Sequence, residues 1–324
     1  MLLILLAAMV PVVIRDAGVL YIINMIYLMT IPAMSLNLMM STGHVNFAHA
    51  PFIAIGAYSS AFLSMYAGLP FWFCFPLAGI IGALIAWAIG LVILRIKGPY
   101  FFLVTVAFGE VVIRSATHFK EITGGHQGIE QIPKPSITIP SLFAFNFKSE
   151  TSFYYLMLAA MVVSMIVMQR LQRGHWGLTW RAAREADMVA ESAGVDVIRY
   201  KIVAFSTSCF FASMAGSFYA HYVSFINPGT FGMMMMFGLL MSVIVGGREY
   251  FYGPLIGTIV LRSLSAFTAR AQIPEYEPMV YGTILVLIIL FLPAGISGLP
   301  SRFAAKRVSI LSSFRARRKT SEPA

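Results

Sequence analysis

Between residues 70 and 94 the chain carries no charged side chain (PFWFCFPLAGIIGALIAWAIGLVIL), and similar apolar runs recur along most of its length. Such a run has the roughly 17–25 residues that a helix needs to cross a bilayer. Inside hydrocarbon every backbone N–H and C=O must be satisfied within the structure, which leaves helices and closed barrels. Continuous runs, rather than polar–apolar alternation, select helices. Apolar helices are expected near 2–14, 19–40, 47–66, 70–94, 99–117, 153–169, 201–222, 231–247, 251–268 and 278–293. That is about ten transmembrane helices, or eight to ten, because 2–14 is short for a full span. Only 11% of residues are charged, against about 25% in soluble domains, and mean hydropathy is +0.80. The expected fold is an all-α membrane protein, a polytopic helical bundle. One domain should cover 1–324, with no stretch long enough for a separate soluble domain.

The net charge is +10, yet nucleic acid is not the expected partner. Seven of the positives lie in a basic tail, 301–324: Arg302, Lys306, Arg307, Arg315, Arg317, Arg318 and Lys319. Positive charge beside membrane segments marks the cytoplasmic side and attracts anionic lipid. With the tail inside and the helices alternating, Arg95, Lys97, the basic residues of 170–201, Arg248 and the tail fall on the cytoplasmic side. Arg15, Lys120, Lys134, Lys148 and Arg270 fall outside. This excess orients the chain as a multi-pass inner-membrane protein with a cytoplasmic C-terminus. The start, MLLILLAAMV, has no basic region and no clear cleavage site, and is not expected to be a cleaved signal peptide.

One polar stretch, 170–201, stands apart (RLQRGHWGLTWRAAREADMVAESAGVDVIRYK). It is too short for a domain. Ala182, Ala186, Ala190 and Ala193 recur at helical spacing and form a smooth face, backed by Arg181, Glu185 and Asp187. Gly194 stands where a left-handed helix stop is expected. A short cytoplasmic helix with a small-residue face suits docking to a separate soluble partner. On the other side, 118–152 holds TGGHQGI (Thr123 to Ile129) and Pro133, Pro135 and Pro140, and is expected to be an ordered external loop. Three inner turns, STGHVNFAHAP (41–51), RIKGPYFF (95–102) and VGGREYFYGPLIG (245–257), each combine glycine, an aromatic and proline. Such turns accompany broken helices at pathway-lining places.

Charges inside spans are few. Glu110 and Arg114 lie at i, i+4 on the fifth run, and Arg262 lies at similar depth on the ninth. A charge at the bilayer centre costs at least about 2.5–3.5 kcal/mol, so all three must face protein or water. Glu110 is expected to pair with Arg262, Arg114 or both, either bracing the bundle or lining a solute pathway. Gly253 and Gly257, and Ser213 and Ser217, are small-xxx-small pairs that allow close helix approach, within the chain or against a sister subunit.

Several chemistries lack their residues. The chain contains no Gly-Lys pair, so no P-loop can form and ATP must be hydrolysed by another chain. No Ser-His-Asp, paired-carboxylate or Cys-His set can be argued from spacing, and an intramembrane enzyme is not expected. His44, His49, His118, His126, His175 and His221 have no zinc-like context. Cys74 and Cys209 sit in apolar runs and are expected to be packing residues without disulfide or metal. No cofactor is expected on this chain.

Read together, RIKGPYFFLVTVAFGEVV (95–112), TGGHQGI, READMVAESAGVDVIRYKIVAF (184–205), VGGREYFYGP and FLPAGISGLP (291–300) resemble the permease subunits of bacterial ABC importers for branched-chain amino acids, the LivM type. The resemblance spans nearly the whole chain. It departs in GHVNFAHA, where His44, Asn46 and His49 look closer to the sister LivH permeases. It implies an ABC importer permease fold and a heteromeric assembly. The partners would be a second, LivH-like permease, two ATPase subunits and a periplasmic solute-binding protein. It also implies that the helix from Arg181 to Gly194, with Glu185, Ala186, Asp187 and Ala190, is a coupling helix seated in an ATPase groove. The cargo implied is a branched-chain or hydrophobic amino acid. Urea, short amides or a sugar remain alternatives within the superfamily, and a self-sufficient secondary carrier using Glu110, Arg114 and Arg262 is the rival from another class.

Overall fold

All ten apolar stretches are helical in the computed structural model, which describes residues 2–96, 100–139, 143–147, 149–185, 192 and 194–299. In chain order they are α1 (Leu2–Val13), α2 (Ala17–Met40), α3 (His49–Met65), α4 (Phe71–Ile93) and α5 (Tyr100–His118). After a short turn of helix, α6 (Lys120–Thr123), come α7 (Glu150–Arg173), the polar α8 (His175–Glu185) and α9 (Val197–Val223). The series closes with α10 (Met233–Gly246), α11 (Gly253–Arg270) and α12 (Glu277–Phe291). Polar residues at the edges of the apolar runs start these helices. Asp16, Ser149 and Asp196 each accept the backbone N–H three residues on, at 2.9, 3.2 and 3.2 Å, satisfying donors that a helix start leaves bare.

Among the described residues, seven helices are long and apolar enough to cross a membrane, which makes this a multi-pass membrane protein. α3, with 17 residues, and α11 fall short of this, and so does the first stretch. With 12 residues it rises only about 18 Å, against a hydrocarbon core of about 30 Å. It leans on α7, where Tyr154 and Tyr155 donate their hydroxyls to the carbonyls of Ala7 and Ala8.

The bundle is organised around α9, which packs against α2, α3 and α4. Small residues make this possible. A Cβ on Gly56 of α3 would overlap the Ser213 carbonyl, and one on Gly216 of α9 would overlap that of Ile53. Without a hydrophobic driving force between helices in lipid, such close backbone approach is what makes association favourable. The Ser213–Ser217 pair is therefore spent inside the chain, with Ser217 also bonding Ser60 of α3 at 2.7 Å. Gly253 and Gly257 are likewise internal, packed on Gly246, Gly247 and Ser242 at the α10–α11 seam.

The loop over 118–152 is pinned to the bundle through its described residues. Two short antiparallel pairings occur, β1 (Ile129–Glu130) with β4 (Phe225–Ile226), and β2 (Ser136–Ile139) with β3 (Phe143–Asn146). Gly128, at φ +80°, turns the chain where a Cβ would overlap the Ile226 carbonyl. His221, near the end of α9, donates from Nδ1 to the Pro133 carbonyl (2.7 Å), so its Nε2 accepts from Ser60 (2.9 Å). Trp72 donates to the Ser136 carbonyl at 3.1 Å. The loop is thus tied to α3, α4 and α9, at the end of the bundle opposite α8.

Candidate functional site

Two regions qualify. The first is the α8 end. The helix starts at His175, six residues earlier than the expected coupling helix, because the side chains before Arg181 dock it onto the bundle. Trp180 is fully buried and donates its indole N–H to the Tyr200 carbonyl of α9 at 2.9 Å. Gly177 lies so close to α7 that a Cβ would overlap the Gln172 carbonyl. Arg184 reaches Glu249 at 2.9 Å and packs beside Gly43. Three glycine-containing turns therefore meet around α8. The turn after α2 and the turn before α11 touch it through Gly43 and Glu249. The turn before α5 shares with Arg184 a cavity of about 530 Å³, together with Arg95 and Phe101.

Arg181, Ala182 and Glu185 are exposed, whereas Ala183 is buried against the bundle. The face bearing Ala182 is turned away from the membrane helices. Ala186, Asp187 and Ala190 lie outside the described residues. Gly194 has the left-handed φ of +82° expected for a helix stop. Glu249 lacked a signal of its own in the sequence beyond its place in VGGREYFYGP. The Arg184 hydrogen bond, helped by Arg248, holds its carboxyl below the usual carboxylate range.

From this end the 41–48 segment dips irregularly into the bundle. Asn46 is buried, accepts the Ala48 N–H at 2.9 Å through Oδ1 and lies 3.8 Å from Cys209 of α9. Its amide faces His49 Nδ1 at 3.5 Å, and His49 Nε2 meets Ser35 at 2.8 Å. Irregular backbone at this depth is tolerated only where polar groups satisfy it; Asn46 accepts the Ala48 N–H, and Thr105 of α5 accepts the Phe47 N–H at 3.3 Å. Among the described residues no cluster of metal-ligating side chains occurs.

The second region is a pair of clefts flanking the 3-10 turn Pro228–Phe231, whose Gly229 borders both. One, of about 840 Å³, is edged by Glu110, Arg114, His118, Lys120 and His126. Glu110 pairs with Arg114 at 3.3 Å, with side chains 46% and 82% exposed. The other, of about 830 Å³, contains Arg262. Of the two expected partners of Glu110, Arg114 is met and Arg262 is not, since the turn at 228–231 lies between the two clefts. The i, i+4 partner on the same helix is nearer. A charged pair this open on a membrane-length helix cannot face lipid.

The chain matches the family model described as branched-chain amino acid transport system / permease component over residues 18–289. It belongs to that family. A Salmonella typhimurium relative, the high-affinity branched-chain amino acid transport system permease protein LivM, is 32% identical over 84% of this chain and 68% of its own length. The Escherichia coli LivM is 31% identical over 85% of this chain and 68% of its own. The probable LivH of Methanocaldococcus jannaschii is 24% identical over 90% and 96%. No solved structure matches the chain. Family membership accounts for the multi-pass bundle of a transport permease.

Proposed function

We propose that this permease is one transmembrane subunit of an ABC importer that carries branched-chain and other hydrophobic amino acids into the cell. ATP-hydrolysing subunits drive it from the cytoplasm, on the side of α8 and the C-terminus. A solute-binding protein delivers cargo at the opposite end, where the pinned external loop lies. A second, LivH-like permease covers the open face of α5. The observation that carries the coupling role is the convergence of three inner turns on α8, through Gly43, Glu249 and the cavity at Arg95. A push on Arg181, Glu185 and the segment to Gly194 is passed by Arg184 and Trp180 to the ends of α2, α5, α9 and α11. The Glu110–Arg114 pair supports the second permease, since its exposure in a single chain demands either another protein surface or a water-filled pathway.

The test is to tag the chain, purify it in mild detergent and identify what accompanies it. Recovery of a P-loop ATPase and a second permease is expected, and Ala186→Glu should abolish the ATPase's recovery. Recovery of the chain alone, with solute uptake intact after reconstitution, would overturn the importer reading and favour a secondary carrier.

A further inference from the structure

The cleft around Arg262 has the lining of an amino-acid site. It extends from the α2 and α12 starts down to Ser242 of α10. Its volume, about 830 Å³, lies within the roughly 300–1,000 Å³ range of small-molecule pockets. Arg262 precedes the end of α11 by eight residues, about 12 Å along the helix, and is half-buried in the cleft. Among the described residues it forms no ion pair. The phenols of Tyr21, Tyr219 and Tyr281 line the same cleft. A cation in a largely apolar cleft calls for an anion or water as its partner.

A negative group lies close by. The Tyr281 hydroxyl donates to Glu277 Oε1 at 2.6 Å and sits 3.4 Å from the carbonyl of Leu261, the neighbour of Arg262. Both signs of charge therefore border one cavity. Much of the remaining lining is apolar and adaptable, with Ile22, Met25, Met29, Met234, Met235 and Leu239.

We propose that this cleft is a transient site for a zwitterion with an apolar side chain. Arg262 receives the α-carboxylate, Glu277 faces the α-ammonium, and the methionine-rich wall holds the side chain. The proposal rests on the importer reading and narrows it. Urea, a neutral amide or a sugar presents no carboxylate to Arg262. A loose, reshaping wall suits passage better than retention, because a tight site would trap its cargo.

The experiment uses the complete importer in proteoliposomes, with leucine-loaded binding protein. It measures uptake and ATP hydrolysis side by side. Arg262→Gln should lower leucine uptake by about tenfold or more, the loss expected for one charge-assisted hydrogen bond. Binding-protein-stimulated ATP hydrolysis should persist, and Arg262→Lys should recover part of the uptake. Ser265→Asp, which places a fixed carboxylate in the same cavity, should block uptake in the same way without removing the cation. Unchanged uptake in Arg262→Gln or in Ser265→Asp overturns the proposal. So does a fall in uptake that is matched by an equal fall in ATP hydrolysis, which would make Arg262 a structural residue. Failure of the unaltered complex to take up any amino acid would instead sink the importer reading itself.

Discussion

α5 and α9 have nearly equal hydropathy and both are long enough to span a membrane, yet 72% of the apolar window of α9 is buried within the chain against 17% for α5. The difference is residue size. α9 carries Ala212, Ser213, Ala215, Gly216 and Ser217 in sequence, and α3 meets them with Gly56 and Ser60. Backbones approach there to within a methyl group. α5 presents Tyr100, Phe102, Leu103 and Val111 outward, and its close approach to α3 is confined to Gly109 beside Pro51. Hydropathy places a helix in the membrane, while small residues decide which helices touch each other. The open face of α5, with its ion pair, is left for another surface.

The most disruptive way to probe this contrast is Gly216→Val. The added side chain meets the Ile53 carbonyl, and overpacking of this kind costs at least about 1–3 kcal/mol. A clear fall in detergent melting temperature is expected, whereas Val111→Ala on the open face of α5 should shift it little. Equal shifts would mean that α5 is as integral to the chain's own fold as α9.

Glu110→Gln tests the exposed pair more gently. Its side chain is 46% exposed and its partner's 82%, so loss of the pair should cost the isolated chain no more than about 1 kcal/mol. Normal assembly with reduced uptake is expected. Lost assembly, read by co-purification of the second permease, would make the pair a brace.

The two helices should also differ in exchange. α9 is tied to α8 by the Trp180–Tyr200 bond and buried over most of its length. α5 only borders the cavity beneath α8. Hydrogen exchange in the assembled importer should show α9 amides protected throughout and α5 amides sensitive to ATP. Equal protection in both, unchanged by ATP, would mean that α5 is held as firmly as α9.

The smallest effect concerns the link at the α8 end. The pKa of Glu249 is held below its ordinary 4.5, so its bridge to Arg184 is fully present above that value. It is lost only as pH falls through the lower, folded-state pKa. The ratio of transport to ATP hydrolysis should be flat through neutral pH and drop only under acid. Glu249→Gln should remove the drop while costing little stability, since the pair is partly exposed.

Much was legible in the chain alone. Runs without charge, bounded by Asp16, Ser149 and Asp196, define the helices because hydrocarbon accepts little else. The 170–201 stretch stands out because a polar helix between two spans has no place in lipid. Gly194 marked its end, since only glycine takes a left-handed stop at no cost. Other features depended on three-dimensional placement. Glu249 reads as an ordinary loop carboxylate until Arg184, far away in sequence, is laid across it. Ser213–Ser217 and Gly253–Gly257 are motifs for close approach, and nothing in their spacing says whether the surface they meet is their own or a partner's. Glu110 and Arg262 are both charges within apolar runs, and only the turn at 228–231 shows that they face separate clefts. Sequence by itself determined which segments enter the membrane and which polar helix cannot, because transfer free energy is a property of the segment. Tertiary structure decided which charges meet and which faces stay open, because those depend on distances between helices that local sequence does not encode.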